Sequence, residues 1–319
     1  MNKITEFIKK QNSLSTLRYI TCGSVDDGKS TLLGRMLYEA QLIYDDQVDN
    51  LVKDSKRIGT QGKKIDFALL VDGLAAEREQ GITIDVAYRF FSTKKRKFIV
   101  ADSPGHEQYT RNMVTAASNA ELAIILIDAR NGILPQTKRH SFIANLMGIK
   151  NIIVAINKMD LVNFDEVRFN SIVEDYKKNI ESQLNFSKVI FIPVSALEGD
   201  NITSDSSKTS WYKGKPLMKI LESIKINNEV AKYFSMPVQY VNRPNLDFRG
   251  FSGTISSGKI QHGDVVKEPF TNQTANIEEI FIGDRKVKQA TEGDSVTFTI
   301  DKEIDISRGN ILVDKDSEF

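Results

Sequence analysis

The stretch that most constrains the fold of this chain is one short motif, Gly23-Ser24-Val25-Asp26-Asp27-Gly28-Lys29-Ser30. It has the form G-x-x-x-x-G-K-[ST], in which glycines let backbone N–H groups point at phosphate oxygens. The motif predicts that Lys29 reaches the β- and γ-phosphates and that Ser30 ligates Mg²⁺. A strand is predicted over 17–22, before the loop, and a helix over 30–39, whose N-terminus adds positive dipole charge. Thr31 follows directly and joins the predicted nucleotide-binding residues.

The composition narrows the class of protein. The chain has 319 residues and a net charge of +1, so its overall charge does not attract nucleic acid or an anionic membrane. Its single cysteine, Cys22, excludes an intrachain disulfide and a cysteine-based zinc site. No apolar run approaches the ~20 residues that span a bilayer. We therefore predict a cytoplasmic protein without a membrane or nucleic-acid partner, with a short docking helix over 1–14 rather than a signal peptide.

The order of apolar and polar segments predicts the fold class. Strands that alternate with helices indicate an α/β, doubly wound domain with a mostly parallel sheet. Beyond residue 232, short β-runs separated by Gly-containing turns indicate a small all-β barrel. We predict a phosphate-binding domain over 1–231 and a β-barrel domain over 232–319. The elements predicted after the first helix are an amphipathic helix from 41, a hairpin over 83–91 and 97–101, strands over 122–128, 152–156 and 189–194, helices over 137–147, 165–184 and 216–224, and a loop over 200–215.

A second motif follows the strand 97–101 and reads Asp102-Ser103-Pro104-Gly105-His106. An acid at a strand end that faces the phosphate loop predicts that Asp102 holds Mg²⁺ through a water, while the Gly105 N–H meets the γ-phosphate. The alternative is that Asp102 caps a helix, because an acid before a proline is a good helix start. His106, after a Pro-Gly turn, is predicted to orient the water that attacks the γ-phosphate.

A third motif follows the strand 152–156 and reads Asn157-Lys158-Met159-Asp160. The Asp160 carboxylate can accept both the N1–H and the exocyclic amine of guanine, a donor pair that adenine lacks. Asn157 is predicted to touch N7 and to tie the loops together, and the Lys158 stem to lie over the base or ribose. Alone, this motif is equally compatible with an ordinary strand-to-helix turn, but its position after the other two motifs favours GTP.

Two shorter segments complete the predicted site. The backbone of Ser195-Ala196-Leu197, after the strand 189–194, is predicted to contact guanine O6. The Thr83 hydroxyl is predicted to complete the Mg²⁺ shell, which would make 41–83 a segment that GTP orders and hydrolysis releases. The alternative for Thr83 is simply the first residue of a strand.

The remaining histidines and two arginines receive plainer interpretations. His140, inside the predicted helix 137–147, is interpreted as structural, and His262, before a barrel turn, as solvated. Arg78 and Arg111 lie near the switch segments and are interpreted as structural or partner-facing. No arginine finger is therefore assigned.

The order of these motifs resembles the elongation-factor class of GTPases. More closely, the chain resembles the GTPase subunit of the bacterial two-subunit sulfate adenylyltransferases. Elongation factors commonly carry His where this sequence has Asp27, whereas the sulfate-activating subunit carries Asp. The stretches behind the closer resemblance extend over nearly the whole chain and include CGSVDDGKSTLLGR, DSPGHEQYTRNM, AINKMDLV, VSALEGDNI, VQYVNRPNLDFRGFSGTI and EIDISRGNILV.

This resemblance implies GTP hydrolysis with Mg²⁺, with Lys29, Thr83 and His106 as catalytic residues. It also implies a heterodimer with a smaller catalytic subunit that adenylylates sulfate with ATP, giving adenosine 5′-phosphosulfate and pyrophosphate. A single P-loop and no second nucleotide motif agree with that division of labour. Two departures stand out: Leu197 occupies the place where many GTPases have a lysine against the base, and the family's second β-barrel is expected to be absent.

Three other functions are compatible with parts of this sequence. A translational GTPase would share the motif order, although the low net charge and Asp27 disfavour it. A P-loop kinase acting on adenosine phosphosulfate would not need the guanine motif. A nucleotide-dependent switch with slow intrinsic hydrolysis would look the same in sequence.

Overall fold

The computed structural model describes residues 14–40, 45–59, 65–71, 83, 85–226, 233–245 and 248–317, with the backbone alone at 45–47 and 56–58. The chain divides into two compact units, 1–226 and 227–319. The predicted domain boundary at 231/232 lies outside the described residues and stays a prediction. The same holds for the predicted helix over 1–14, of which only the last residue is described, and for Arg78.

From residue 97 onward, strands and helices alternate along the first unit, as the sequence predicts. Its strands are β1 (Thr16–Gly23), β2 (Ala87–Ser92), β3 (Lys97–Asp102), β4 (Leu122–Asp128), β5 (Asn151–Asn157) and β6 (Lys188–Pro193). Its helices are α1 (Lys29–Glu39), α2 (Asp45–Ile58), α3 (Thr110–Ala117), α4 (Pro135–Leu146), α5 (Glu166–Asn179) and α6 (Leu217–Ser223). Short 3₁₀ turns occur at Phe67–Leu70, Glu107–Tyr109, Met159–Val162, Glu181–Gln183 and Ser207–Thr209.

These strands form a six-stranded sheet in the order β2-β3-β1-β4-β5-β6. All neighbours are parallel except β2 and β3, which form the predicted antiparallel hairpin. The order reverses around β1, so the predicted doubly wound sheet is confirmed. Thr21 lies opposite Asp102, and Asp128 lies opposite Asn157. The carboxyl ends of β1, β3, β4 and β5 therefore meet at one edge, where ligands bind in such sheets.

The sheet has an apolar layer on each face. Alternate residues of β1 enter different clusters, with Leu17 and Tyr19 on one side and Ile20 and Cys22 on the other. Every residue of β4 and of β5 is buried, which explains their continuous apolar sequence. Each buried Ile or Leu contributes about 1.5–3 kcal/mol, so these two central strands form a rigid base for the loops at their ends.

Two predicted boundaries differ from the structure by more than two residues. β2 begins at Ala87 rather than at Thr83, because it pairs residue by residue with β3 and the partner strand ends at Asp102, opposite Ala87. Helix α5 ends at Asn179 instead of 184 because the backbone of Ile180 leaves the helical region (φ −128°, ψ −62°). This places the Ile180 side chain in the apolar core, at 3% exposure.

The second unit is all-β in its described part, as predicted. Its strands are β7 (Ser235–Pro237), β8 (Tyr240–Asn242), β9 (Gly250–Thr254), β10 (Lys259–Gln261), β11 (Val265–Glu268), β12 (Gln273–Ile282), β13 (Arg285–Val287), β14 (Gln289–Thr291), β15 (Ser295–Ile300) and β16 (Ile311–Asp314). The longest sheet runs β7-β16-β11-β12-β15-β9-β8, with β13 paired to β12, and β10 pairs with β14. A bridge between Ser235 and Ser257 joins β7 to the segment after β9, so the sheet curls around one core. Phe251 and Phe298 lie in that core, and His262 is exposed at a turn.

Across the described ranges of both units, we find no helix with the length and apolar character needed to cross a membrane.

Candidate nucleotide-binding site

The phosphate loop connects β1 to α1 in the predicted way. Gly28 caps the helix in the left-handed region (φ 89°), and a Cβ there would lie 2.5 Å from the Asn157 Nδ2, so the close approach of the guanine motif requires glycine. The Lys29 ammonium folds back across the loop and donates to the carbonyls of Gly23 (3.2 Å) and Ser24 (2.7 Å). A bound phosphate could replace these two carbonyls as the partner of the lysine ammonium.

Burial shifts the pKa values of the charged side chains inside the loop. Burial lowers the pKa of Lys29, and the carboxylates of Asp102 and Asp27 oppose this effect. Burial raises the pKa of Asp27 to about 6, although Lys29 and the backbone N–H of Ser24 counteract it. The Asp27 Oδ2 accepts the Ser24 N–H at 2.5 Å. Asp27, the residue that distinguishes this loop from the elongation-factor pattern, therefore fixes the loop from within.

His140 has a more specific position than the sequence indicated. Its Nδ1 accepts the backbone N–H of Gly23 at 3.0 Å, so a residue of α4 holds the first glycine of the phosphate loop. Burial, followed by the charges of Lys29 and Arg139, lowers the pKa of His140 to about 3. The ring is therefore neutral, and acceptance at Nδ1 places its proton on Nε2. The structural interpretation of His140 holds, with the phosphate loop as the structure that it supports.

Oxygen atoms gather where the sequence predicts Mg²⁺. The Ser30 hydroxyl donates to the Asp102 Oδ2 at 2.9 Å, and its Oγ lies 3.3 Å from the Thr83 Oγ1. The Thr21 hydroxyl donates to the other oxygen of Asp102 at 2.7 Å, which fixes the carboxylate. Thr83 lies before β2 and outside the strand, so the alternative interpretation of it as a strand residue is wrong.

The segment after β3 approaches the phosphate loop closely. A Cβ on Gly105 would lie 2.5 Å from the Lys29 Nζ and 2.9 Å from the Ser24 carbonyl oxygen, so only glycine fits there. The next turn begins at Glu107 with His106 as its cap, which contradicts the alternative role of Asp102 as a helix cap. The His106 Nδ1 is buried and has no hydrogen-bond partner among the described residues. Such an atom is costly, by about 1–3 kcal/mol, unless a water or ligand satisfies it.

The guanine motif and the last loop are joined directly. The Asn157 Nδ2 donates to the Asp27 carbonyl at 2.8 Å, and its Oδ1 accepts the Ala196 N–H at 2.9 Å. Asn157 thus ties the loops together. The Asp160 Oδ1 accepts the Ser195 hydroxyl at 2.6 Å, which leaves the second carboxylate oxygen free of that contact. A cavity of about 250 Å³ opens beside these groups, lined by Gly28, Thr31, Arg130, Asn157, Lys158, Asp160, Leu161, Ala196 and Leu197.

Some residues of the predicted motifs support the site instead of lining this cavity. Ser103 is buried and donates to the Thr21 carbonyl at 2.7 Å. Met159 packs in the apolar core with no exposed area. Arg111 is exposed on α3. Sequence patterns mark the whole motif but not which of its side chains turn toward the ligand.

Three further residues at the site were missed by sequence analysis. Asp128, the last residue of the predicted strand 122–128, contacts both Arg130 and Lys158. Arg130 lines the cavity. Arg35 of α1 donates to the carbonyls of Leu197 (3.1 Å) and Glu198 (3.0 Å) and thereby holds the last loop. The only available clue was the place of Asp128 at the carboxyl end of a buried strand.

Comparison with known proteins agrees with this geometry. Residues 15–239 match the family model of the elongation factor Tu GTP binding domain. The chain is 55% identical over 316 residues to sulfate adenylyltransferase subunit 1 of Tolumonas auensis, which covers 99% of this chain and 67% of that protein. It is 54% identical to the subunit 1 of Vibrio campbellii, over 97% of this chain and 65% of that protein.

The chain belongs to the sulfate adenylyltransferase subunit 1 family. It spans about two thirds of the length of these relatives. The resemblance seen in sequence is therefore confirmed.

Solved structures agree on the fold. The GTPase-like domain of S. cerevisiae Ski7 bound to GTP gives a TM-score of 0.57 at 20% identity, over 98% of this chain and 77% of that one. Sup35 complexed with GMPPNP gives 0.51 at 24% identity, over 98% of this chain and 70% of that one. At this identity, the likeness shows that this chain shares their fold and nothing further.

Proposed function

We propose that this chain binds and hydrolyses GTP and that hydrolysis drives the adenylylation of sulfate by a partner subunit. The observation that carries the GTP proposal is the Asn157 side chain, which joins the phosphate loop at Asp27 to the last loop at Ala196. A base bound against Asp160 is thereby set at a fixed distance from the phosphate loop. The family name supports the second half of the proposal, because relatives of this chain are called subunit 1 of sulfate adenylyltransferase.

The proposed GTP site combines the four motif segments. Backbone N–H groups of the phosphate loop and Lys29 would hold the phosphates, and Asp160 would select guanine. Within these segments, Ser103 and Met159 would support the site from the interior. The residues proposed to form the GTP site are Gly23, Ser24, Val25, Asp26, Asp27, Gly28, Lys29, Ser30, Thr31, Asp102, Ser103, Pro104, Gly105, His106, Asn157, Lys158, Met159, Asp160, Ser195, Ala196 and Leu197.

The residues present fit a magnesium ion. Ser30 and Thr83 offer hydroxyl oxygens 3.3 Å apart, and Asp102 accepts from Ser30, so that hard oxygen donors face one point. Mg²⁺ commonly keeps several waters and takes few protein ligands beside substrate phosphates, which matches a direct role for Ser30 and Thr83 and a water-mediated one for Asp102. When bound, the ion would neutralise charge on the β- and γ-phosphates.

The chain's own residues have distinct roles in the proposed reaction. Lys29 would leave its contacts with the Gly23 and Ser24 carbonyls and neutralise phosphate charge. His106, whose buried Nδ1 lacks a described partner, would orient the attacking water beside the Gly105 N–H. Phosphoryl transfer needs mostly positioning and charge stabilisation, so these groups suffice for a slow intrinsic reaction.

Replacing His106 tests the hydrolytic step. We expect His106→Ala to lower kcat for GTP hydrolysis about 10²–10³-fold with little change in the Kd for GTP, because the ring acts on water rather than on nucleotide. Single-turnover hydrolysis and equilibrium titration measure the two quantities separately. His262→Ala, an exposed histidine in the second unit, is the matched control. A variant that binds GTP weakly but turns over bound GTP normally would contradict the assignment.

The adenylylating chemistry is assigned to the partner. We propose that the chain acts in the cytoplasm, in a heterodimer with a smaller catalytic subunit that converts ATP and sulfate to adenosine 5′-phosphosulfate and pyrophosphate. The sequence contains one phosphate loop, and the described part of the chain has a cavity beside the guanine motif that can hold one nucleotide. This single nucleotide site supports the assignment of the ATP reaction to the partner. The energy of GTP hydrolysis would then reach the partner's reaction through contact between the chains.

Reconstitution with a catalytic subunit tests the coupling. The chain is mixed with the small subunit of a sulfate adenylyltransferase, ATP, sulfate and GTP, and both GTP turnover and adenosine 5′-phosphosulfate are measured. We expect GTP turnover to rise with the partner and to track product formation. If the rate of GTP hydrolysis does not change with the partner but rises with ribosomes, the chain would instead be a translational GTPase.

A further inference from the structure

The cavity beside the guanine motif contains a cation that no motif supplies. Arg130 follows β4 and lines the cavity together with Lys158, Asp160 and Leu197. Its side chain is 49% exposed, whereas the carboxylate that it contacts, Asp128, is 1% exposed. The guanidinium therefore presents one edge to a buried acid and its remaining surface to the cavity.

Asp128 holds the guanidinium in a two-pronged contact. The Arg130 Nη2 lies 2.6 Å from the Asp128 Oδ2, and its Nε lies 3.1 Å and 3.2 Å from the two carboxylate oxygens. The Arg130 backbone N–H donates to the same carboxylate at 2.9 Å. Planar, bidentate geometry of this kind fixes the orientation as well as the position of an arginine.

The loop that carries Arg130 is also fixed from outside. Arg168 of α5 donates to the carbonyls of Ala129 (2.7 Å) and Arg130 (3.0 Å). Asp128 further accepts from the Lys158 Nζ at 3.1 Å, so one buried acid orients both cations that line the cavity. Among the described residues, none accepts a hydrogen bond from the Arg130 Nη1. The planar Arg130 guanidinium is thus held in a fixed orientation in the cavity, and its Nη1 can donate a hydrogen bond to a ligand.

The presence of Leu197 in the same cavity indicates what the Arg130 cation could do there. It lines the same cavity, at the position where the sequence lacks the lysine that many GTPases place against the base. An apolar side chain there provides contact area without charge. A planar cation from the loop after β4 can supply the missing electrostatic contact, since guanidinium groups stack on aromatic faces better than ammonium groups do.

We propose that Arg130 is a nucleotide-contacting residue that packs against the guanosine part of GTP and replaces the cation absent at Leu197. Asp128 is its positioning residue. The inference rests on the proposed GTP function and adds a contact at the nucleoside end of the ligand. The ligand class is a guanine nucleotide with any number of phosphates. Because the contact is made to guanosine, GDP and GTP must depend on it equally.

Titration of the full chain with GDP and GTP tests this contact. We expect Arg130→Ala to raise the Kd for both nucleotides by the same factor, about 3- to 30-fold. Arg130→Lys should recover only part of the loss, because lysine keeps the charge but not the plane. Arg285→Ala, an arginine of the second unit that is 87% exposed, is the charge-matched control and should bind normally.

The outcomes separate this inference from the proposed function. If the unaltered chain fails to bind guanine nucleotides, the GTP proposal itself fails. If it binds them and Arg130→Ala binds equally well, or loses much more affinity for GTP than for GDP, the contact with guanosine is overturned while the GTP function stands. Circular dichroism melts of each variant establish that affinity is compared between folded proteins.

Discussion

Lys29→Ala is expected to lower the affinity for GTP about 100-fold or more and to abolish measurable hydrolysis. The side chain is 6% exposed, and its ammonium already occupies the phosphate loop through the carbonyls of Gly23 and Ser24. Alanine leaves those carbonyls facing the phosphates with no cation between them. Isothermal titration with GTP and a phosphate-release assay measure the two losses.

A matched control separates this effect from a general change in charge. Lys259→Ala removes an exposed lysine of the second unit and should leave binding and turnover unchanged. Unchanged GTP turnover by Lys29→Ala would remove the phosphate loop from the mechanism.

Asp160→Asn should change the base preference from GTP toward xanthosine triphosphate, by about 10²–10³-fold in the ratio of the two affinities. The asparagine amide offers a donor where xanthine has an acceptor, and it no longer accepts the two guanine donors. The asparagine oxygen can still accept the Ser195 hydroxyl, so the last loop keeps its support. Competition between the two nucleotides for one labelled ligand measures the ratio directly.

The control for this change is Asp284→Asn, an acid of the second unit with a side chain 97% exposed. It should leave the ratio of affinities as it is. Equal loss of both nucleotides in Asp160→Asn would mean that the carboxylate holds the loops and does not contact the base. Retained preference for GTP would remove Asp160 from base selection.

Local motifs predicted the outline of this site because each one lies at the end of a buried strand. β4 and β5 were recognisable from their apolar sequences and β1 from its place before the phosphate loop, and parallel strands bring their carboxyl ends to one edge. The position of Thr83 was harder, since β2 starts only where β3 can pair with it, at Ala87 opposite Asp102. That boundary depends on the length of a neighbouring strand and not on the sequence of β2 itself.

Contacts between distant parts of the chain were beyond sequence analysis. His140 lies 117 residues from Gly23, and Arg35 lies 162 residues from Leu197, yet each pair is joined by a hydrogen bond. Histidine in a helix and arginine on a helix surface are common, and only the packing of α4 and α1 against the sheet gives them these partners. Arg130 was missed for a related reason, because its direction depends on the buried carboxylate of Asp128.

The contacts of Arg35 have a consequence for nucleotide exchange. This residue fastens the last loop to α1 through the Leu197 and Glu198 carbonyls, and it pairs with Glu39 at 2.6 Å on the same helix. None of these bonds uses the nucleotide, so we expect the last loop to keep its place on α1 when the ligand leaves. Departure and rebinding at the base end then require no refolding of that loop.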